Sequence, residues 1–389
     1  LDHLSEGQVV VDTFTYTVVD VKGGVSVGTV QVTLTGRNDD PTVSAAVSTE
    51  VSEDDTNFNL DLLTNASDVD NGAVLAVDSL VNTLGDDGGI SVNANGTSLD
   101  VDLSYYQYLA GGTSETITFT YDVIDGFGGV PASQSVTIII NGQNDDPTVS
   151  AAIISTVTED DASYNLNLLT NASDVDLNAS LSASGLTLDS NGDDRGVTFA
   201  FNSLEIDPSA YNYLAAGESE VLIYSYVVSD GLGGSTAQTA TITITGVNDD
   251  PTVSAVVSTE VSEDDANFNL DLLTNASDVD DSASLDVDNL SYQSGDNSGV
   301  TVNANGTSLD VDLSFYQDLD AGDTEVITYT YNVIDGLGGS VAQTVMITIN
   351  GQNDAPTISA AVATTVSEDD ANFNLDLLTN ASDVDDSAS

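Results

Sequence analysis

The chain has no cysteine, no tryptophan, one methionine, one histidine and, in 389 residues, only three basic side chains. Without cysteine there is neither a disulfide nor thiolate chemistry. With His3 as the lone imidazole, zinc and copper lack their usual donors. Lys22, Arg37 and Arg195 cannot neutralise a phosphate backbone, which excludes nucleic acid as a partner. No run approaches the roughly 18 uninterrupted apolar residues of a membrane span, and Leu1 does not open a signal peptide. Proline is scarce as well. Of six, four (Pro41, Pro147, Pro251 and Pro356) stand in one recurring phrase.

That phrase, NDDPTVSA or NDAPTISA, begins at Asn38, Asn144, Asn248 and Asn353, at steps of 106, 104 and 105 residues. Other phrases keep the same step. NASDVD starts at Asn65, Asn171, Asn275 and Asn380; Ser/Thr-Glu-Asp-Asp starts at Ser52, Thr158, Ser262 and Ser367; Asp-Gly-x-Gly-Gly starts at Asp125, Asp230 and Asp335, with a degenerate DVKGG at Asp20. Whole units therefore recur. Cut at the proline, residues 41–146, 147–250 and 251–355 are three complete repeats. Residues 1–40 then read as the end of a preceding repeat and 356–389 as the start of a following one. About 105 residues is an ordinary size for a domain with its own core.

What the chain has in excess is negative charge: 64 acidic residues, 12 of them Glu, for a formal net charge of −61. Such a charge often signals disorder. Here 40% hydrophobic content is set in strict alternation, which argues for folded strands. In TITFTYDVID, Ile117, Phe119, Tyr121 and Val123 share one face, with Thr116, Thr118, Thr120 and Asp122 on the other; Phe58, Leu60 and Leu62 alternate similarly, as do Val136, Ile138 and Ile140. Asn95-Gly96 between two alternating runs predicts a hairpin. The only helical signal is about one turn around SYYQYL. Seven short strands per repeat predict an all-β chain, a tandem array of antiparallel, immunoglobulin-like β-sandwiches joined end to end.

With strands lettered A to G, the A to B loop carries SEDD and strand G runs into NDDP, both at the end facing the next repeat. The B to C loop (DVD) and the F to G loop (Asp-Gly-x-Gly-Gly) face the previous one. The joint between the first two complete repeats thus gathers Glu53, Asn144, Asp145, Asp174, Asp176 and Asp230. Crowded carboxylates without a basic partner repel one another. A hard divalent cation relieves them, and calcium, which takes six to eight oxygens in flexible geometry, suits one or two ions per joint. An EF-hand is excluded because Ser79 stands where the loop starting at Asp68 needs its final Glu. One Asp-Gly-x-Gly-Gly per repeat is not a tandem calcium β-roll. The NAS and NGT triplets match the glycosylation pattern but equally suit tight turns.

YTVVD (Tyr16 to Asp20), TGRNDDP (Thr35 to Pro41), NGQNDAP (Asn350 to Pro356) and SEDDANFNLDLLTNASDVD resemble the VCBS repeats of large bacterial adhesins, which are related to cadherin-like extender domains. The resemblance covers the whole chain and implies extracellular, calcium-stiffened strings that hold a binding tip away from the cell. It also implies a cadherin-like joint, with Glu53, Asn144, Asp145, Asp174, Asp176 and Asp230 in the matching places. The chain departs from cadherins in having YQYLAGG where they carry Asp-Arg-Glu, which implies fewer ions per joint. The same assignment gives Glu159, Asn248, Asp249, Asp278, Asp280 and Asp335 at the next joint, and Glu263, Asn353, Asp354, Asp383 and Asp385 at the last. At the first, Asn38, Asp39, Asp68, Asp70 and Asp125 lack a partner Glu, which is expected before Leu1.

The expected function is a structural spacer on the cell surface, its partners being neighbouring repeats and other copies in a fibre. Two further readings stand beside it: a glycan or cell-cell recognition module, and a halophile surface protein whose acidity serves solubility. An enzyme is not expected, since a catalytic carboxylate pair copied at every repeat, without His, Cys or Trp, has no parallel in glycoside hydrolysis.

Overall fold

Alternation along each apolar run places one row of side chains inward and the next outward, and the computed structural model, which describes residues 2–385, is accordingly built of strands. Two compact units form, one of Leu1–Ile153, Asn167–Thr187 and Ser225–Thr239, the other of Ile154–Leu166, Leu188–Tyr224 and Ala240–Ser389. The first opens on an antiparallel hairpin of β1 (Val9–Val19) and β2 (Val25–Thr35). Its turn is tied by Asp20 Oδ1, which accepts from the amides of Lys22 and Gly24 at 2.8 Å.

A sandwich follows, of β3 (Thr42–Val43), β4 (Val47–Ser52), β5 (Phe58–Asp61), β6 (Ala66–Ser67), β7 (Ala76–Leu84), β8 (Ile90–Val92), β9 (Ser98–Val101), β10 (Ser114–Ile124) and β11 (Ala132–Asn141). One sheet has the order β4-β11-β10-β7 and the other β5-β9-β8; β3 and β6 form a separate short pair. Strands A to G are thus β4, β5, β7, β8, β9, β10 and β11. The expectation of a wholly antiparallel sandwich fails at one pair: β4 runs parallel to β11, Val47 opposite Val136. The chain first pairs antiparallel as β3 with β6, Thr42 opposite Ser67, then crosses to the other sheet, where it joins along the edge of β11.

Ile117, Val123, Val136, Ile138 and Ile140 are fully buried, with Phe119 and Tyr121 nearly so, as their alternation requires. The predicted hairpin is β8–β9, with Val92 opposite Leu99 and Gly96 at φ 73°. The expected helical turn is a 3₁₀ turn, Leu103–Tyr106, capped by Asp102, whose carboxylate accepts the Ser104 amide. Asn65, Asn171, Asn275 and Asn380, which open the NAS triplets, have φ of 69°, 66°, 68° and 74°. Asn tolerates this left-handed conformation better than most residues, so turn geometry accounts for the triplets.

The second unit contains a sandwich of the same pattern. Val257–Ser262, Ser340–Asn350, Thr324–Ile334 and Asp286–Ser294 form one sheet; Phe268–Asp271, Ser308–Val311 and Val300–Val302 form the other. In both sandwiches a strand F tyrosine crosses the core to a carbonyl at the end of strand B: Tyr121 to Leu62 and Tyr331 to Leu272, each at 2.6 Å. Tyr331→Phe leaves that carbonyl buried without its donor, and the transition of this sandwich in urea is expected at a lower midpoint, by about 1–2 kcal/mol of stability. An unchanged midpoint refutes this role.

Candidate metal centre

Each predicted acidic side chain is fixed by its local backbone before it meets the others. In the A to B turn, Asp55 accepts the Ser52 amide at 2.9 Å, closing the turn, while the Glu53 amide donates to Asn141 O at 3.0 Å. In the B to C loop, Asp174 Oδ1 accepts the Asp176 amide at 2.9 Å, an Asx turn that sets the two carboxylates side by side. In the F to G turn, Asp230 Oδ1 accepts the amides of Leu232, Gly233 and Gly234.

Side chains from these loops meet at the connector. Glu53 Oε1 accepts the Gln143 amide at 2.6 Å, Asp176 Oδ2 accepts the Asp145 amide at 3.0 Å, and Asp230 Oδ2 accepts Asn144 Nδ2 at 2.9 Å. Glu53, Asp145 and Asp176 each present an oxygen within 4.8 Å of the others. At that separation, with an effective dielectric near 20, each charged pair repels by about 3 kcal/mol. The hydrogen-bond pattern recurs in the second unit. Glu159 accepts the Val247 amide, Asp280 the Asp249 amide at 3.1 Å, Asp278 the Asp280 amide at 3.0 Å and Asp335 the Asn248 side-chain amide at 2.8 Å. It recurs at 38–125 with Asp39 to Asp70, Asp70 to Asp68 and Asn38 to Asp125, at 2.8–2.9 Å. At the last joint Glu263 accepts the Gln352 amide, and Asp385 accepts from Asp354 and Asp383 from Asp385 more loosely.

The acids divide their oxygens. In Glu53, Glu159, Glu263, Asp68, Asp70, Asp174, Asp176, Asp278 and Asp280 one oxygen takes a backbone amide, while its twin is buried and receives no donor. Among the described residues, the buried side-chain oxygens without a partner are those of Asn38, Asp68, Asp70, Glu53, Asn144, Asp145, Asp174, Asp176, Glu159, Asn248, Asp249, Asp278, Asp280 and Glu263, and of one further residue, Asn212. Buried polar atoms are normally satisfied. Among the described residues, all but one of these exceptions fall on residues that the repeat phrases single out. Asp125, Asp230 and Asp335 are different, their carboxylates being occupied by amide donors.

Burial, reinforced by neighbouring carboxylates, pushes the pKa of Glu53, Glu159, Glu263, Asp145, Asp176, Asp249 and Asp280 above the ordinary range. For Asp230 and Asp335 burial acts in the same direction, but hydrogen bonds from the connector Asn and the glycine turn outweigh it and hold the carboxyl below its usual range.

Sequence reasoning passed over several contributors. Glu6, in the loop before β1, accepts the Asn38 amide at 3.0 Å, so the first cluster does have a glutamate, though not at the A to B position. Gln107 and Gln317 donate to the backbone carbonyls of Glu53 and Glu263 at 3.0 and 2.7 Å. Asn212, one methylene shorter, stands at their position in the middle repeat and is the remaining residue with an unpartnered oxygen. Asp54 and Asp160, beside the turn glutamates, add charge to Asp145 and Asp249. The SEDD phrase contained that last signal.

A family model described as bacterial Ig domain matches residues 38–139 and 144–245. No curated protein matches the sequence. Among solved structures, the chain is similar to protocadherin gamma B2 extracellular cadherin domains 1-5 at 16% identity over 89% of this chain and 66% of that one, with a TM-score of 0.40. It is also similar to the human desmocollin-1 ectodomain, at 13% identity over 92% and 71%, TM-score 0.32, and to Drosophila N-cadherin EC1-4, at 14% over 88% and 84%, TM-score 0.33.

Proposed function

The chain belongs to the bacterial Ig domain family, and from that premise we propose that it is a structural spacer whose successive sandwiches are stiffened by calcium at their acidic joints. The observation that carries this reading is the set of buried, donor-less oxygens, which fall almost wholly on the joint residues. A cation supplies what those oxygens lack. The donors are carboxylates and amide carbonyls, the hard oxygen set that calcium takes, and the chain has no thiolate and a single imidazole, His3, to offer a softer metal. Glu53, Asn144, Asp145, Asp174 and Asp176 would hold the metal at one joint and Glu159, Asn248, Asp249, Asp278 and Asp280 at the next, with one or two ions at each. Asp230 and Asp335 complete the sets, and the same scheme covers Asn38, Asp39, Asp68, Asp70 and Asp125, and Glu263, Asn353, Asp354, Asp383 and Asp385. What the ion contributes is neutralisation of crowded charge.

On this reading the repeats are 41–146, 147–250 and 251–355, of the VCBS type, and the array works outside the cell as the extender of a large adhesin or fibre. No helix of the described residues is long and apolar enough to cross a membrane. Small-angle scattering of the full chain in millimolar calcium and in chelator tests the proposal. Calcium is expected to give a larger, sharply defined maximum dimension, and chelation a shorter, broader distribution. Identical profiles, or profiles that respond to sodium chloride as they do to calcium, overturn it.

A further inference from the structure

We propose that the Asn-Asp-Asp triplet before Pro41, Pro147 and Pro251 is a metal-independent clip that binds the connector to the strands after it, so that the array flexes on the N-terminal side of the triplet and the A to B glutamate is the ligand that swings. The inference rests on the calcium reading for what closes the joint, but the clip itself needs no ion.

From each triplet the Asn side chain, the amide of the first Asp and the carboxylate of the second Asp reach forward, while in the first copy the Asn38 backbone amide is held from behind by Glu6. Asn144 Nδ2 donates to Asp230 Oδ2 at 2.9 Å, the Asp145 amide donates to Asp176 Oδ2 at 3.0 Å, and Asp146 Oδ1 accepts the Ser235 amide at 2.9 Å. The next copy repeats them: Asn248 to Asp335 at 2.8 Å, Asp249 to Asp280 at 3.1 Å, and Ser340 to Asp250 at 3.3 Å. In the first copy they are Asn38 to Asp125 at 2.9 Å, Asp39 to Asp70 at 2.9 Å and Val130 to Asp40 at 2.8 Å. Each triplet therefore makes three side chain-mediated bonds, two of them to carboxylates, to two different loops of the strands that follow. Bonds to an ionised acceptor are stronger than neutral ones, and Asp230 and Asp335 are further pinned by the amides of residues 232–234 and 337–339.

The link backward is thinner. The residue before the triplet, Gln143 or Val247, donates its amide to the turn glutamate, Glu53 or Glu159. One further backbone bond joins the loops, from Leu177 to Tyr108 O at 2.8 Å and from Asp281 to Tyr213 O at 3.0 Å. The glutamate's second oxygen is buried without a donor among the other carboxylates, so in the absence of a cation its position is repulsive. Removing the ion loosens this side first. The remaining ligands, Asn144, Asp145, Asp174 and Asp176, stay assembled on the following sandwich and need only recapture one arm.

Hydrogen exchange of the full chain at single-residue resolution, in calcium and in chelator, tests this. Chelation is expected to lower protection about tenfold or more at Gln143, Val247, Leu177 and Asp281, and to leave Asp145, Asp249, Ser235 and Ser340 within about twofold. Loss of protection in both sets together overturns the clip while leaving the calcium reading in place. Protection unchanged in both sets overturns the calcium reading, and the flex point with it. In chelator, Asn248→Ala is expected to expose Asp249 and Ser340 while Asp145 and Ser235, at the unaltered joint, serve as the internal control; equal protection at the two joints in this variant also overturns the clip.

Discussion

Asp280→Asn is expected to weaken calcium binding at the joint of Glu159, Asn248 and Asp249 by about tenfold or more, because it removes a formal charge from a site whose affinity depends on the count of charged ligands. Tenfold corresponds to about 1.4 kcal/mol. A saturated site stabilises the folded joint by about 2.7 kcal/mol at a hundred times its Kd, so the calcium-dependent rise in melting temperature should shrink visibly. Asp280 is buried, its Oδ2 is held by the Asp249 amide and its Oδ1 has no donor. The amide of Asn can replace the first role but not the charge of the second. Calorimetric titration of the variant against the parent reads the change directly, and an unaltered isotherm would remove Asp280 from the site.

The same substitution separates two pH dependences of opposite sign. Without calcium, Glu159, Asp249 and Asp280 have folded pKa values raised above their ordinary 4.5 and 3.8, chiefly by burial. A raised carboxyl contributes stability that is fully present below its unfolded pKa and is lost as pH rises through the folded one. The chelated chain should therefore lose stability as pH rises above the ordinary carboxylate range. Asp230 and Asp335, held low, act in the reverse sense, but only below the ordinary 3.8, outside that window. In calcium the slope inverts, since protons compete with the ion for the same oxygens. Asp280→Asn should flatten both slopes. A chelated chain that gains stability toward neutral pH contradicts the raised acids.

Gly246→Val should be the most damaging substitution at a joint. A Cβ on Gly246 would meet the backbone carbonyl oxygens of Leu214 and Ala215. Gly36 and Gly142 stand against the same two carbonyls in their copies, Leu4 with Ser5 and Leu109 with Ala110, and Gly351 against those of Leu319 and Asp320. The obstacle is backbone rather than a movable side chain, so relief requires the connector to shift. A cost of about 2–4 kcal/mol follows for overpacking of this kind. The shift also displaces the Val247 amide from Glu159, so calcium affinity at that joint should fall with stability. Urea unfolding and calcium titration of one sample measure both, and a variant with parental stability would show that the connector is not wedged there.

Much of this architecture was legible in the residues. The alternation of Ile117, Phe119, Tyr121 and Val123 named an inward face, Asn95-Gly96 named a hairpin, and four phrases at one step marked where the acids would gather. Those are local signals, carried by the period of a strand or the chemistry of a turn. The parallel partner of β4 was not legible, because pairing across about 90 residues depends on which sheet edge is free once the other strands have formed.

Glu6 and the glutamine at 107 and 317 were missed for a related reason. Each sits in a loop without a repeated acidic phrase and acquires its role only by what the fold places against it. Composition and spacing by themselves determined that negative charge would concentrate at recurring turns with no basic residue to answer it, since periodic sequence places identical side chains at equivalent points of every repeat. Only the tertiary structure decided which oxygen of the turn glutamates and of Asp70, Asp176 and Asp280 is spent on an amide and which is left buried and unpaired, because there the donor is a connector amide distant in the chain.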